Sequence, residues 1–195
     1  MTDNSNVILE YYKSNILEYK SKRNGNCSVD RVVKYVLKQK NIEEAINTAV
    51  ISRDENGKKH SHQRRLPNNC LEDYAQKLLE IKKQISQTKS FDSLYMLLEQ
   101  NRIHGVGELL IYDVSVRIGE YLKIYPETIY VHAGTRIGLQ NLQKEKIHEK
   151  QIKKETLPEP FRSSDLTPGQ LEDFFCIYKD IFSNGIKDNK EKIFC

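Results

Sequence analysis

The chain has 195 residues, of which 38% are hydrophobic and 30% charged, and its net charge is +4. That length supports one sizeable core and that balance excludes wholesale disorder. So small a net charge does not by itself announce nucleic acid; only the distribution of charge can do that. The cysteines (Cys27, Cys70, Cys176 and Cys195) have no CxxC spacing and read as thiols of a reducing compartment. With no signal-peptide pattern, no run of membrane-span length and no cofactor motif, the expectation is a soluble, cytoplasmic monomer that carries no cofactor.

Apolar residues recur mainly at helical spacing. Val7, Ile8, Tyr11, Tyr12, Ile16, Leu17 and Tyr19 share one stripe, which RNGN at 23–26 ends. Ser28 is placed to cap a second helix over RVVKYVLK, and NIEEAINTAVI makes a third. Residues 52–69 lack periodicity and read as a long loop, a kind of segment that is often functional. Asn69 and Glu72 have the spacing of a capping box before LEDYAQKLLEIKKQI, and Ser90 starts FDSLYMLLEQ. ETIYVH is extended, and LQNLQKEKIHEKQIKKE reads as a charged, solvated helix. The two prolines of LPEPFRSSD make it a linker, after which Thr167, Pro168 and Gln170 cap a final amphipathic helix, LEDFFCIYKDIF. The predicted architecture is mainly α: a compact multi-helix domain over 1–156, with a linker and a C-terminal helix at 157–195 packed on it.

Five of the nine glycines fall at 105, 107, 119, 134 and 138, in otherwise apolar sequence. Residues 94–100 and 108–123 are helical, and between them Ile103-His104-Gly105-Val106-Gly107 has the form apolar-x-Gly-apolar-Gly. A glycine turn before a helix start lets backbone N–H groups approach a phosphodiester without reading sequence. The same turn also serves tight helix packing. Downstream, PETIYVH combines a proline turn with a short extended piece.

This window, about residues 90–142, resembles the helix-hairpin-helix DNA glycosylases. The resemblance implies a helix-hairpin-helix element that binds DNA and an activity that hydrolyses the N-glycosidic bond of a damaged or modified base, as in DNA repair or modified-base removal. The family keeps an aspartate at the end of the extended piece, where this chain has His132. The chain also lacks the family's Schiff-base lysine, since 108–112 read Glu-Leu-Leu-Ile-Tyr, which disfavours a β-lyase.

Glycosidic cleavage needs a carboxylate near an oxocarbenium-like centre and a pocket for an extruded base. Asp113, in the apolar LLIYDVSVRI, is the leading carboxylate, and Arg117 four residues on offers a structural pairing instead. His132 is the expected second catalytic group or a helix-start histidine with a satisfied hydrogen bond, and Ala133 to Arg136 read as small residues that admit a substrate. Arg117 and Arg136 would orient the catalytic pair or hold phosphate. Tyr112 and Tyr130 are candidates for stacking on the base or for the core. DNA contacts are expected from Lys58, Lys59, His62, Gln63, Arg64 and Arg65 in KKHSHQRR and from His104, Gly105, Val106 and Gly107 in the turn. The HSH pair has no third ligand nearby in sequence, so no metal is expected. A non-catalytic helix-hairpin-helix DNA-binding module and a helical protein-interaction domain are the other two readings.

Overall fold

The structure, a computed structural model, describes residues 2–24 and 30–183. Its helices are α1 (Thr2–Asn24), α2 (Arg31–Val36), α3 (Ile42–Ile51), α4 (Asn68–Glu80), α5 (Lys82–Gln87), α6 (Phe91–Gln100), α7 (Glu108–Leu122), α8 (Ala133–Gln143) and α9 (Pro168–Ile177). Two short strands, β1 (Ile129–Tyr130) and β2 (Gln151–Ile152), pair antiparallel. The fold is mainly helical, as the periodicity predicts. No helix among the described residues is long and apolar enough to cross a membrane.

The chain divides into two compact units, Met1–Ser28 with Glu127–Cys195, and Val29–Pro126. The sequence predicts one boundary instead, at 156/157. Residues 157–165 do not behave as a linker: Leu157 and Phe161 are buried in the core of the first unit, beside Phe174 and Phe175. That core is aromatic. Phe161, Phe174, Phe175, Tyr178 and Phe182 interlock, with Phe174 and Tyr178 stacked 4.6 Å apart, and Tyr12 and Tyr19 of α1 join them. Each fully buried ring contributes about 1.5–3 kcal/mol. The α1 stripe is only partly used, since Val7, Ile8 and Leu17 stay exposed.

The unit Val29–Pro126 is built round α7, whose Ile111, Val114 and Ile118 lie buried among Ala45, Ile46 and Ala49 of α3 and Leu71 and Leu78 of α4. A helix buried on most of its surface must satisfy any polar side chain it carries inside the protein. For α7 those side chains are Asp113, Ser115 and Arg117.

Several caps and boundaries differ from those the sequence predicts. Ser28 lies outside the described residues; Asp30 caps α2, its carboxylate accepting from the Val32 N–H at 2.8 Å. The Asn69–Glu72 capping box does not form. α4 begins at Asn68 behind Pro67, and the Asn68 side chain accepts from Lys59 Nζ at 3.0 Å instead. The helix predicted from 71 breaks at Ile81 into α4 and α5. The charged stretch after Leu139 is not one solvated helix: α8 stops at Lys144, which is in the left-handed region, and the chain turns to bury Ile147 and form β2. The Ser90 cap and the Thr167–Gln170 capping box with Pro168 in the first turn are present as predicted.

Candidate functional site

Asp113 and Arg117 of α7 meet His62 and Gln63 of a short 3-10 turn (Ser61–Gln63) that interrupts the predicted loop, whereas Ser115 donates to the Ile111 carbonyl within α7. Arg53 and Lys59 form a backbone bridge, and the Ser52 carbonyl accepts from the His60 N–H at 2.8 Å, so residues 52–60 fold back on themselves just beyond the end of α3. Gln63 points inward from this turn and is almost fully buried, which removes it from the expected groove contacts.

Arg117 anchors the cluster. Its side chain is 0% exposed; Nε donates to Asp30 Oδ2 at 2.8 Å, and Nη1 donates to the Ala49 carbonyl at 3.0 Å and to Ser52 Oγ at 2.7 Å. Nη2 donates to Gln63 Oε1 at 3.3 Å. The expected i,i+4 pairing with Asp113 is therefore replaced by Asp30, and the guanidinium is spent inside the protein rather than on phosphate.

Asp113 is held from the turn. Its Oδ2 accepts from Gln63 Nε2 at 2.6 Å and lies 3.0 Å from His62 Nδ1. Burial alone would raise this carboxyl, but the hydrogen bonds from His62 and Gln63 and the charge of Arg117 outweigh it and hold it below the ordinary value. The reciprocal effect raises His62, chiefly through its hydrogen bond to Asp113. His60 is instead pushed down by burial. Its Nδ1 is 3.2 Å from Gln63 Oε1, and its ring stands perpendicular to that of His62 with centroids 4.7 Å apart. One donor atom from each of His60, His62 and Asp113 falls within 4.8 Å of the others, so the third ligand that sequence spacing denied to the HSH pair comes from α7.

Around this cluster Lys58, Arg64 and Arg65 are exposed, whereas Lys59 is tied to the Leu66 carbonyl at 2.6 Å and to Asn68. The turn at 101–107 lies against the first turn of α4, with Cys70 Sγ 3.7 Å from the His104 carbonyl. Gly105 adopts φ +88°, and a side chain there would meet Cys70 Sγ; Gly107 precedes α7 in open space. His104 and both glycines are exposed, but Val106 is a core residue. Glu108 occupies the first turn of α7 and partly offsets the positive end of its dipole.

His132 lies in the other unit, at the start of α8. Its Nε2 is 3.2 Å from Glu172 Oε1, which also accepts from Thr135 Oγ1 at 2.7 Å. Asp113 and His132 thus have separate partners in separate units. Gly138 has a packing role: a Cβ there would lie 2.2 Å from the Phe175 carbonyl oxygen, so the glycine lets α9 approach; at Gly134, where the sequence suggested room for a substrate, a Cβ would lie 2.4 Å from Cys176 Sγ. Arg136 donates to the Val131 carbonyl at 3.0 Å and to the Ile147 carbonyl. Tyr112 and Tyr130 are both buried.

Sequence reasoning missed His60, Asp30, Ser52 and Glu172 as polar partners. Only His60 had a signal, its place in HSH. No protein-family model, curated protein or solved structure matches the chain.

Proposed function

We propose that the chain binds nucleic acid through the unit Val29–Pro126 and carries there a carboxylate–histidine site of the kind that hydrolyses the N-glycosidic bond of a damaged or modified base. The observation that carries this reading is the 3.0 Å contact between His62 and Asp113. Fifty-one positions apart in sequence, one is a candidate DNA contact and the other the candidate carboxylate. An ionised Asp113 held by Gln63 suits stabilisation of a developing oxocarbenium charge, and His62 at the solvent edge can orient water beside it. Lys58, Arg64 and Arg65 supply phosphate contacts on the same segment, and the turn at Gly105 and Gly107 offers exposed backbone near the start of α4. Arg117 acts only from behind, through Gln63 and its charge, and His132, Tyr112, Tyr130 and Arg136 take no part in this site.

The test uses duplex and single-stranded DNA carrying a panel of modified bases, followed by alkali to break the strand at abasic sites. The expected result is alkali-labile breaks with at least one substrate, abolished in Asp113→Asn. Binding should depend on salt, and Arg64→Glu with Arg65→Glu should weaken it and make the salt slope shallower, by about 0.9 for each phosphate no longer neutralised. Binding without breaks leaves a non-catalytic DNA-binding module. Absence of salt-dependent binding sinks the nucleic-acid reading altogether and favours a helical interaction domain.

A further inference from the structure

His60, His62 and Asp113 converge from two directions. The histidines sit two residues apart, His60 capping the 3-10 turn and His62 within it, with perpendicular rings, and Asp113 comes up from α7. Two donors bound to one ion at about 2.0–2.2 Å stand about 3–4 Å apart. His62 Nδ1 and Asp113 Oδ2, at 3.0 Å, already have that separation, and the full set lies within 4.8 Å. Closing the remainder requires an imidazole to move, and neither ring is walled in: their side chains are 23% and 39% exposed.

The surroundings are those of an oriented ligand set. Metal-bound imidazoles present their second nitrogen to an oxygen, which fixes the ring. His60 meets this condition through Nδ1, which lies 3.2 Å from Gln63 Oε1 and leaves Nε2 for the ion. Gln63 is itself fixed at both ends, its amide nitrogen donating to Asp113 and its oxygen accepting from Arg117.

The charge count points the same way. Asp30 and Arg117 neutralise each other across 2.8 Å. Asp113 then supplies the full charge at the centre, with neutral Gln63 and the two histidines round it. Lys59, the nearest loop lysine in sequence, is committed to Leu66 and Asn68. A cluster of this composition gains from one added positive centre, either a proton shared with His62 or a cation held by all three groups.

We propose that His60, His62 and Asp113 bind a single first-row divalent transition-metal ion, Zn2+ or a close analogue, with at least one coordination position left to water. Two imidazoles and one carboxylate suit such ions and not Ca2+ or Mg2+, which prefer oxygen donors throughout. Three protein ligands leave the open position that distinguishes a reactive site from a closed structural one. The site shares His62 and Asp113 with the proposed nucleic-acid site, yet ion binding is measured without nucleic acid, so either reading can fail while the other stands.

Chelator-treated full-length protein is titrated with Co2+ and followed by its visible d–d absorption, then competed with Zn2+. One equivalent of Co2+ should develop a visible band with no thiolate-to-cobalt charge transfer in the near ultraviolet, and Zn2+ should bleach it. His62→Ala and Asp113→Asn should each weaken binding by more than about 100-fold, and Gln63→Ala by about tenfold, the size typical of removing a ligand's supporting partner. Circular dichroism melts confirm that each variant is folded, with the exposed His62 the least disruptive of the three to replace. No band at one equivalent, a thiolate charge-transfer band, or unchanged affinity in folded His62→Ala overturns the proposal.

Discussion

The two units each contain a histidine–carboxylate pair of almost the same length, and the two pairs sit in different surroundings. His62 and Asp113 are 3.0 Å apart, with the imidazole 39% and the carboxylate 12% exposed; His132 and Glu172 are 3.2 Å apart, at 10% and 12%. The first pair is held from behind by Gln63 and Arg117 and keeps its histidine at the surface, beside exposed cations. The second spans α8 and α9 where Gly138 lets their backbones approach, and Thr135 fastens the same Glu172 oxygen. Composition does not separate a site from a stitch. What separates them is whether the ring can still meet solvent and whether its carboxylate is positioned by a network rather than by helix packing.

The largest effect should come from removing the network's anchor. Arg117→Met leaves Asp30 without its buried cation and strips a donor from Gln63, Ser52 and the Ala49 carbonyl, so a destabilisation of about 3–5 kcal/mol is expected in urea unfolding. A change under about 1 kcal/mol would show that the cluster positions itself without the guanidinium, and would weaken the contrast with the second pair. Next in size is Gly138→Val. Its Cβ would lie 2.2 Å from a backbone oxygen, which cannot swing away as a side-chain end could, so α8 and α9 must separate at a cost of about 2–3 kcal/mol. The neighbouring Ile137→Val, at an exposed position, should change stability by less than about 0.5 kcal/mol. Equal melting shifts for the two would remove the close approach as the reason for glycine at 138.

Helix type and order were legible because apolar spacing and caps such as Ser90 and Thr167 act locally. The chemistry of the site was legible by half. Asp113 stood out as a carboxylate in an apolar helix, and that oddity does require a partner. Which partner was hidden, since the nearby Arg117 satisfied the helical rule while the actual contacts come from Gln63 and His62, fifty and fifty-one positions earlier. Residues 52–69 lack periodicity because their order rests on one backbone bridge, tight turns and single side-chain hydrogen bonds, such as those the Asp54 carboxylate accepts from the Asn56 and Lys58 N–H groups, which leave no repeating pattern. Gly134 departs from its sequence reading for a related reason: a small residue at a helix start admits a substrate or another helix equally well, and only the position of Cys176 decides between them.

The smallest stability effects give the sharpest test of the contrast between the pairs. His62→Ala removes a ring already 39% exposed and leaves Asp113 with Gln63, so the destabilisation should stay below about 1 kcal/mol. His132→Ala removes a mostly buried ring that ties α8 to Glu172 of α9, for about 1–2 kcal/mol. Function should rank in reverse. Alkali-labile breaks should vanish in His62→Ala and survive in His132→Ala once both are assayed well below their melting temperatures. On the proposed reading, the ring that stitches helices should matter to folding and the ring at the solvent edge to what the folded chain binds. The opposite pattern, with breaks abolished only in His132→Ala, would move the reactive centre to the start of α8 and leave the His60, His62 and Asp113 cluster as a structural clasp.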